Sequence, residues 1–180
     1  MNIMKVSEGS FWYFGFGSNL LKQRIKLKNP SAVFITNAKL NGYRLSFSSK
    51  DYNPHTCVWH GGGATLIEDP DSFVWGCVWK LKNEDIKNLD KQEYTYEPIT
   101  VEVVSPQNEV YICRSYHKDL DDKLDNRPSP QYKDIVLRGA EQNQLPEDYI
   151  DMIRNVEDNG FSGQLELYDE IISQIKHADA

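Results

Sequence analysis

Apolar and polar residues alternate over much of the chain up to residue 116, and this period of two is typical of half-buried β-strands. In residues 40–47, for example, Tyr43, Leu45 and Phe47 alternate with arginine and serine. The pattern predicts seven strands, over residues 11–16, 32–36, 40–47, 64–68, 73–80, 99–104 and 110–116. Residues 69–72, Asp-Pro-Asp-Ser, have turn chemistry and predict a hairpin between two of these strands.

Three helices are predicted in the last third of the chain, where apolar residues recur every three or four positions. Their expected ranges are residues 130–140, 146–156 and 165–176. Ser129 is the expected N-cap of the first of them, with Pro130 at its first helical position.

Two shorter helices are predicted earlier in the chain. One covers residues 20–28, with Ser18 or Asn19 as its N-cap and with Arg24 among the exposed polar positions. The other follows the capping sequence of residues 83–85 and carries Ile86 and Leu89 on its apolar side.

Together these elements predict a single α+β domain with an antiparallel or mixed sheet. We expect residues 1–10 to form an N-terminal tail and residues 11–180 to form the domain. Residues 119–130, which are charged and contain proline, are expected to form a solvated loop. A chain of 180 residues can bury a core that needs no disulfide bonds for stability.

Composition excludes several classes of function. The chain has 20 lysines and arginines against 27 aspartates and glutamates, a net charge of −7. Nucleic-acid binding needs a surplus of positive charge, so no nucleic-acid partner is expected. No apolar run approaches the roughly 18 residues of a membrane span. The three cysteines form no CxxC pair and predict neither a disulfide framework nor a zinc site. Free thiols without an export signal favour the cytoplasm.

The first candidate for chemistry is the sequence Gly-Phe-Gly-Ser-Asn-Leu at residues 15–20, between a predicted strand and a predicted helix. Unpaired backbone N–H groups at such a turn, with the helix dipole, bind a carboxylate or a phosphate. The segment lacks the Gly-Lys-Ser/Thr of a P-loop and the third glycine of a dinucleotide-binding fingerprint. Taken alone, it also fits a simple tight turn before a capped helix.

Glu93 is the second candidate, because it follows a short helix and stands beside Tyr94 and Tyr96. Aromatic neighbours can partly desolvate a glutamate, which raises its pKa towards the range useful for proton transfer. A solvated carboxylate at a helix end is the alternative interpretation. Asp90, one turn earlier, is a weaker candidate for the same role.

Three further side chains could take part. His60, which precedes three glycines, could be a base or a metal ligand, but no second ligand stands at a suitable spacing nearby, and a structural role is the alternative. The hydroxyls of Tyr116 and Tyr132 could orient a polar substrate, or the rings could simply pack.

Several short motifs, taken in order, resemble the γ-glutamylcyclotransferase family. Residues 13–20, Tyr-Phe-Gly-Phe-Gly-Ser-Asn-Leu, are similar to that family's Tyr-Gly-Ser-Asn-Leu signature. The other matching motifs are Arg24 with residues 28–32, then residues 59–65, 74–79, 89–93, 113–116, 128–132, 139–140 and 145–149. Each motif is short, but their shared order from Phe11 to about Gly163 is specific.

The resemblance implies a mixed β-barrel with surrounding helices, no cofactor and no metal, and a homodimer. It implies an enzyme in which the α-amine of a γ-glutamyl amino acid attacks its own γ-amide carbonyl, releasing 5-oxoproline and the free amino acid. Glu93 would be the general base and acid. The implied substrate-binding residues are Tyr13, Phe14, Gly15, Phe16, Gly17, Ser18, Asn19, Tyr116 and Tyr132.

Two departures from the family pattern leave alternative functions open. Phe16 stands where the family commonly has tyrosine, which removes a hydroxyl group but keeps the backbone donors. After Glu93 the chain reaches the next strand several residues sooner than the family does, with Tyr96 as the counterpart of a family tyrosine. The alternatives are a γ-glutamylamine cyclotransferase and a catalytically silent protein that binds γ-glutamyl ligands or a protein partner.

Overall fold

Five of six strands close into a mixed barrel in the computed structural model, which describes residues 2–53, 55 and 57–178. The strands are β1 (Asn2–Ile3), which lies outside the barrel, and β2 (Ser10–Gly15), β3 (Val33–Ser48), β4 (Gly63–Lys82), β5 (Glu97–Val104) and β6 (Glu109–His117), which form it. The order around the barrel is β6, β2, β4, β3 and β5, and β5 pairs with β6 to close it. The pairing of β2 with β6 is parallel, at Tyr13 and Arg114, and the other pairs in the barrel are antiparallel. The prediction of an α+β fold built on a mixed barrel is confirmed.

The five predicted helices all form. They are α1 (Lys22–Lys28), α2 (Ile86–Gln92), α3 (Pro130–Gln142), α4 (Glu147–Arg154) and α5 (Glu166–Ala178). Ser129 caps α3 as predicted, because its hydroxyl accepts a 3.2 Å hydrogen bond from the backbone N–H of Tyr132, and Pro130 is the first helical residue. The charged residues between β6 and α3 form a loop.

The first residues of the chain are hydrogen-bonded to the barrel. β1 pairs in parallel with the start of β6, and the backbone N–H of Met4 donates to the carbonyl of Val110 at 2.8 Å. The domain boundary after residue 10 stays a prediction. Met1, at the start of the predicted tail, and residues 179–180, at the end of the predicted domain, lie outside the described residues.

The hairpin predicted at residues 69–72 is wrong. β4 is one long strand whose two halves both pair with β3, and residues 69–72 form a bulge opposite Gly42, between the pairs Asn41–Phe73 and Tyr43–Glu68. The hydroxyl of Ser72 donates to the carboxylate of Asp69 at 2.7 Å, so these turn-forming side chains stabilise the bulge and do not reverse the chain. A bulge bends and twists a strand, which lets one long pair wrap the barrel. The strands predicted at residues 32–36 and 40–47 likewise form one continuous strand, β3, which begins at Val33.

The predicted start of α1 is also wrong. Ser18–Leu20 forms a single 3₁₀ turn, Leu21 is the N-cap of α1, and no side chain caps the helix. The side chain of Asn19 cannot cap α1 because it is hydrogen-bonded to other residues. Arg24, predicted to be exposed, is 5% exposed.

Helix α3 holds the 3₁₀ turn in place from behind. A Cβ atom at Gly139 would lie 2.6 Å from the backbone nitrogen of Leu21, so glycine allows the helix and the turn to touch. The Nδ2 group of Asn143 donates to the carbonyl of Leu20 at 2.7 Å. These contacts fix the position of the 3₁₀ turn, Ser18–Leu20, which belongs to the first candidate segment of the sequence analysis.

The three cysteines are free thiols, as predicted. Cys77 and Cys113 are buried in the barrel and Cys57 is half-buried. None of the helices in the described part of the chain is both long and apolar enough to cross a bilayer.

Candidate active site

A cavity of about 560 Å³ lies where the 3₁₀ turn, α1, the end of α2 and the start of α3 meet. Its wall combines buried charges with aromatic rings and hydroxyl groups. The wall residues that matter most here are Ser18, Arg24, Trp59, Glu93, Tyr96, Lys118 and Tyr132.

Glu93 stands immediately after the last residue of α2, with its carboxylate in the cavity wall. Its Oε1 atom accepts hydrogen bonds from the side-chain amides of Asn19, at 3.2 Å, and Gln92, at 3.0 Å. Burial raises the pKa of Glu93 above its ordinary value, although the positive charge of Arg24 and these two hydrogen bonds oppose the rise. The result is a half-buried carboxyl group that is suited to take up and return a proton.

Asn19 connects the 3₁₀ turn to Glu93 through its side chain. Its Nδ2 group also donates to the hydroxyl of Tyr13 at 2.9 Å, and its Oδ1 atom accepts from Gln92 at 3.0 Å. The sequence drew attention to Asn19 for its backbone N–H. In the structure its amide side chain positions the carboxylate.

Tyr132 reaches the cavity from the first turn of α3. Its hydroxyl oxygen accepts a hydrogen bond from the backbone N–H of Ala64 at 2.9 Å. The hydroxyl keeps its own proton for donation to a molecule in the cavity. Burial raises the pKa of Tyr132 to about 12, which keeps that donor protonated at neutral pH.

Gly17 makes this arrangement possible. A Cβ atom there would lie 2.9 Å from the hydroxyl of Tyr132 and 2.8 Å from the Cβ of Ala64. The hydroxyl of Tyr132 therefore packs directly against the 3₁₀ turn. Binding of an anion by the backbone N–H groups of residues 15–19 stays a prediction.

The other predicted site residues stand behind this wall. Phe14 and Phe16 are buried at the end of β2 and just after it, with ring centroids 6.2 Å apart. Gly15 is the buried last residue of β2. Tyr13 touches Asn19, and its ring meets that of Tyr116 edge-on at 6.2 Å.

Tyr116 and Asp90 form a separate group next to the site. The hydroxyl of Tyr116 donates to Asp90 and accepts from the Nε of Arg114 at 2.8 Å. Arg114 also pairs with Asp90 at 2.6 Å. Tyr116 and Asp90 are not among the described residues that line the cavity. Of the two candidate bases, Glu93 and Asp90, Glu93 is therefore the one that faces it.

Sequence reasoning missed the burial of Arg24. Its guanidinium lies 5.9 Å from the centre of the Trp59 ring, and its Nε and Nη1 atoms have no hydrogen-bond partner within the described residues. Burial lowers the pKa of Arg24, and the nearby charge of Glu93 is the largest influence opposing that change. The helix pattern gave no signal, because Arg24 lies outside the row of leucine and isoleucine residues on α1. The only indication in the sequence was that Arg24 belongs to one of the motifs that resemble the family described above.

His60 takes a structural position. Its ring stacks on that of Phe161, with centroids 4.6 Å apart, and its carbonyl accepts a 2.9 Å bond from Asn159. Over the part of the chain that the structure describes, no group of three or more His, Cys, Asp or Glu side chains is arranged to hold a metal ion.

Comparison with known proteins adds independent information. A sequence profile of the AIG2-like family matches residues 73–153. The chain is 40% identical over 175 residues to a γ-glutamylcyclotransferase from Bos taurus, covering 95% of this chain and 90% of that protein. It is 39% identical over 162 residues to one from Homo sapiens, covering 88% of this chain and 85% of that protein. A solved structure of a γ-glutamyl cyclotransferase is 38% identical with a TM-score of 0.83, covering 93% of this chain and 99% of that one.

Proposed function

The chain belongs to the γ-glutamylcyclotransferase family, and on that premise we propose that it converts γ-glutamyl amino acids into 5-oxoproline and the free amino acid. The observation that carries this proposal is the carboxylate of Glu93, half-buried in a cavity wall and held by Asn19 and Gln92. A carboxyl group with a raised pKa suits a reaction that moves a proton from one nitrogen atom to another.

The reaction needs no second reactant. The α-amine attacks the γ-carbonyl carbon of the same molecule, a carbon–nitrogen bond forms, and the amide bond to the leaving amino acid breaks. Because nucleophile and electrophile are already joined, the main task of the enzyme is to hold the chain in the pose that closes the ring. Glu93 removes a proton from the attacking amine and returns it to the leaving nitrogen, so the carboxylate is regenerated.

Two wall groups support this role for the cavity. The hydroxyl of Tyr132, which accepts from the backbone N–H of Ala64, donates to an oxygen of the substrate. Its position at the start of α3, packed against the 3₁₀ turn, gives a donor fixed before the substrate arrives, which is the arrangement that stabilises developing charge most effectively. The buried charge of Arg24 attracts an anionic substrate into the cavity.

The remaining predicted site residues act through these groups in our proposal. Tyr13 and Asn19 hold Glu93, Gly17 and Ser18 hold Tyr132, and Phe14, Gly15, Phe16 and Tyr116 form the support behind them. The homodimer and the cytoplasmic location stay predictions.

Release of 5-oxoproline from γ-glutamyl-alanine tests the proposal. We expect product from the purified protein in the presence of a chelator and without added nucleotide. The matched control is α-glutamyl-alanine, which has the same composition but no γ-amide, and from which we expect none. Binding of γ-glutamyl-alanine without any product would overturn the proposal and indicate a catalytically silent protein.

A further inference from the structure

Lys118 is a cation in the cavity wall whose backbone is fixed on both sides. It follows the last residue of β6, and its N–H and carbonyl groups both bond the hydroxyl of Thr65 at 2.8 Å. Its side chain is half-buried, with the ammonium group 4.7 Å from the centre of the Tyr96 ring. The position of this charge is therefore set by the barrel and by an aromatic ring.

The ammonium group of Lys118 is only partly satisfied. It donates to the carbonyl of Lys50 at 3.0 Å and, at 3.4 Å, to the hydroxyl of Thr95. It forms no ion pair with a carboxylate of the described residues, whereas the neighbouring Lys50 pairs with Asp119 at 2.9 Å. An ammonium has three N–H groups, so one donor remains for a molecule in the cavity.

The cavity has a buried end and an exposed end. The buried wall residues include Ser18, Arg24, Trp59 and Tyr132. At the exposed end lie Asp51, Tyr52 and Asn53, in the segment after β3, and Lys118 reaches this segment through its hydrogen bond to the carbonyl of Lys50. Both Arg24 and Lys118 exert an electrostatic influence on Glu93, which places the carboxylate within range of both charges.

A γ-glutamyl amino acid carries two carboxylates, one on each side of the bond that breaks. The glutamyl part is common to all such substrates and must bring its amine to Glu93, so it occupies the buried end. The leaving amino acid must depart after the reaction, so it occupies the exposed end. Its carboxylate is then on the side of Lys118.

Resting on the proposed function, we infer that Lys118 is a specificity-determining residue that binds the carboxylate of the leaving amino acid. Lys118 accordingly favours leaving groups that carry a carboxylate over amines that lack one. The neutral Tyr96 ring below the ammonium holds the charge in place without neutralising it.

The test compares γ-glutamyl-alanine with γ-glutamyl-alaninamide, which differ only in the charge of the leaving group. The value of kcat/KM is measured for both with the wild type, Lys118→Met and Lys118→Arg. Lys50→Met is the matched control, because it removes the same charge from a neighbouring side chain that does not line the cavity.

We expect Lys118→Met to lose about tenfold or more of the preference for γ-glutamyl-alanine over the alaninamide, measured as the ratio of the two kcat/KM values, which is the worth of one charge-assisted hydrogen bond. The effect of Lys118 on the carboxyl of Glu93 acts on both substrates alike and cancels in that ratio. Lys118→Arg should retain most of the preference, and Lys50→Met should behave as the wild type. Retained activity on the alaninamide also shows that the variant is folded.

Two outcomes would contradict the inference in different ways. Equal losses on both substrates, or no loss on either, would overturn the role of Lys118 while leaving the cyclotransferase activity established. Absence of product from both substrates with the wild type would overturn the proposed function itself, and the inference with it.

Discussion

At the scale of single residues, Arg24 is the most unusual feature of the molecule. A buried guanidinium with unpartnered nitrogens costs stability, because each lost hydrogen bond to water is not replaced. Its retention beside Glu93 is explained by function, since its positive charge limits how far burial raises the pKa of that carboxyl. Arg24 thus keeps the proposed base ionised over a wider range of pH.

Replacing Arg24 separates these two effects. In Arg24→Met the pKa of Glu93 rises further, so a larger fraction of the base is protonated and the acidic limb of the kcat/KM profile moves to higher pH. At a pH where Glu93 is protonated, the same variant should be more stable than the wild type, with a Tm higher by about 2–4 °C for each kcal/mol recovered, because no carboxylate is then left without its counter-charge. The measurements are a pH–rate profile and thermal unfolding.

Arg24→Lys is the control, because it keeps the charge and should leave the acidic limb near that of the wild type. An acidic limb that does not move in Arg24→Met would show that the charge does not act on the base. A lower Tm in Arg24→Met would show that the buried guanidinium stabilises the fold.

At the scale of elements, the contact between α3 and the 3₁₀ turn connects fold to chemistry. Helix α3 supplies Tyr132 at one end and touches Leu20 and Leu21 near the other. The 3₁₀ turn also carries Asn19, which donates a hydrogen bond to Glu93, and the preceding Gly17 packs against the hydroxyl of Tyr132. Displacing the helix would therefore disturb both groups together.

Gly139→Ala tests this contact. At an ordinary position within a helix this change raises stability by about 1 kcal/mol, because alanine is the better helix former. Here the added methyl group meets the backbone of the turn, so we expect a loss of about 1–3 kcal/mol and a reduced kcat/KM.

The readout is urea unfolding, with Arg138→Ala on the exposed side of α3 as the control. We expect the control to change stability by less than about 0.5 kcal/mol. A stabilised Gly139→Ala protein with normal activity would mean that the turn tolerates displacement.

The local pattern of the sequence was sufficient for most of the elements. Alternation in residues such as Tyr43, Leu45 and Phe47 predicted strands, and Ser129 predicted the start of α3. The bulge at residues 69–72 could not be predicted, because the same Asp-Pro-Asp-Ser chemistry serves a hairpin or a bulge and the pairing partner decides between them.

Site residues that belong to a local sequence motif could be predicted. Site residues that reach the cavity only through packing between distant segments could not. Glu93 was identified from its position after a short helix and from a family resemblance. The burial of Arg24 and the cavity position of Lys118 depend on contacts between segments far apart in the chain, such as α1 with Trp59 and β6 with Tyr96. No periodicity within one segment contains that information.

At the scale of the whole molecule, the net charge of −7 opposes the binding of an anionic substrate. The cavity counters this locally, with Arg24 at its buried end and Lys118 at its exposed end. The barrel makes such a local reversal possible, because it brings α1, α2, α3 and the end of β6 to one place. The two charges therefore suit the anionic γ-glutamyl substrate that we propose.

The most direct test of this account is the rate of 5-oxoproline release from γ-glutamyl-alanine by Glu93→Gln, measured beside Asp90→Asn. The glutamine keeps the size of the side chain and an oxygen that can accept from Asn19 and Gln92, but it cannot take up a proton. We predict a fall in kcat of about 100-fold or more for Glu93→Gln, the usual worth of general acid–base catalysis, and a change of at most a few-fold for Asp90→Asn. Near-normal turnover by a folded Glu93→Gln protein would contradict the central claim.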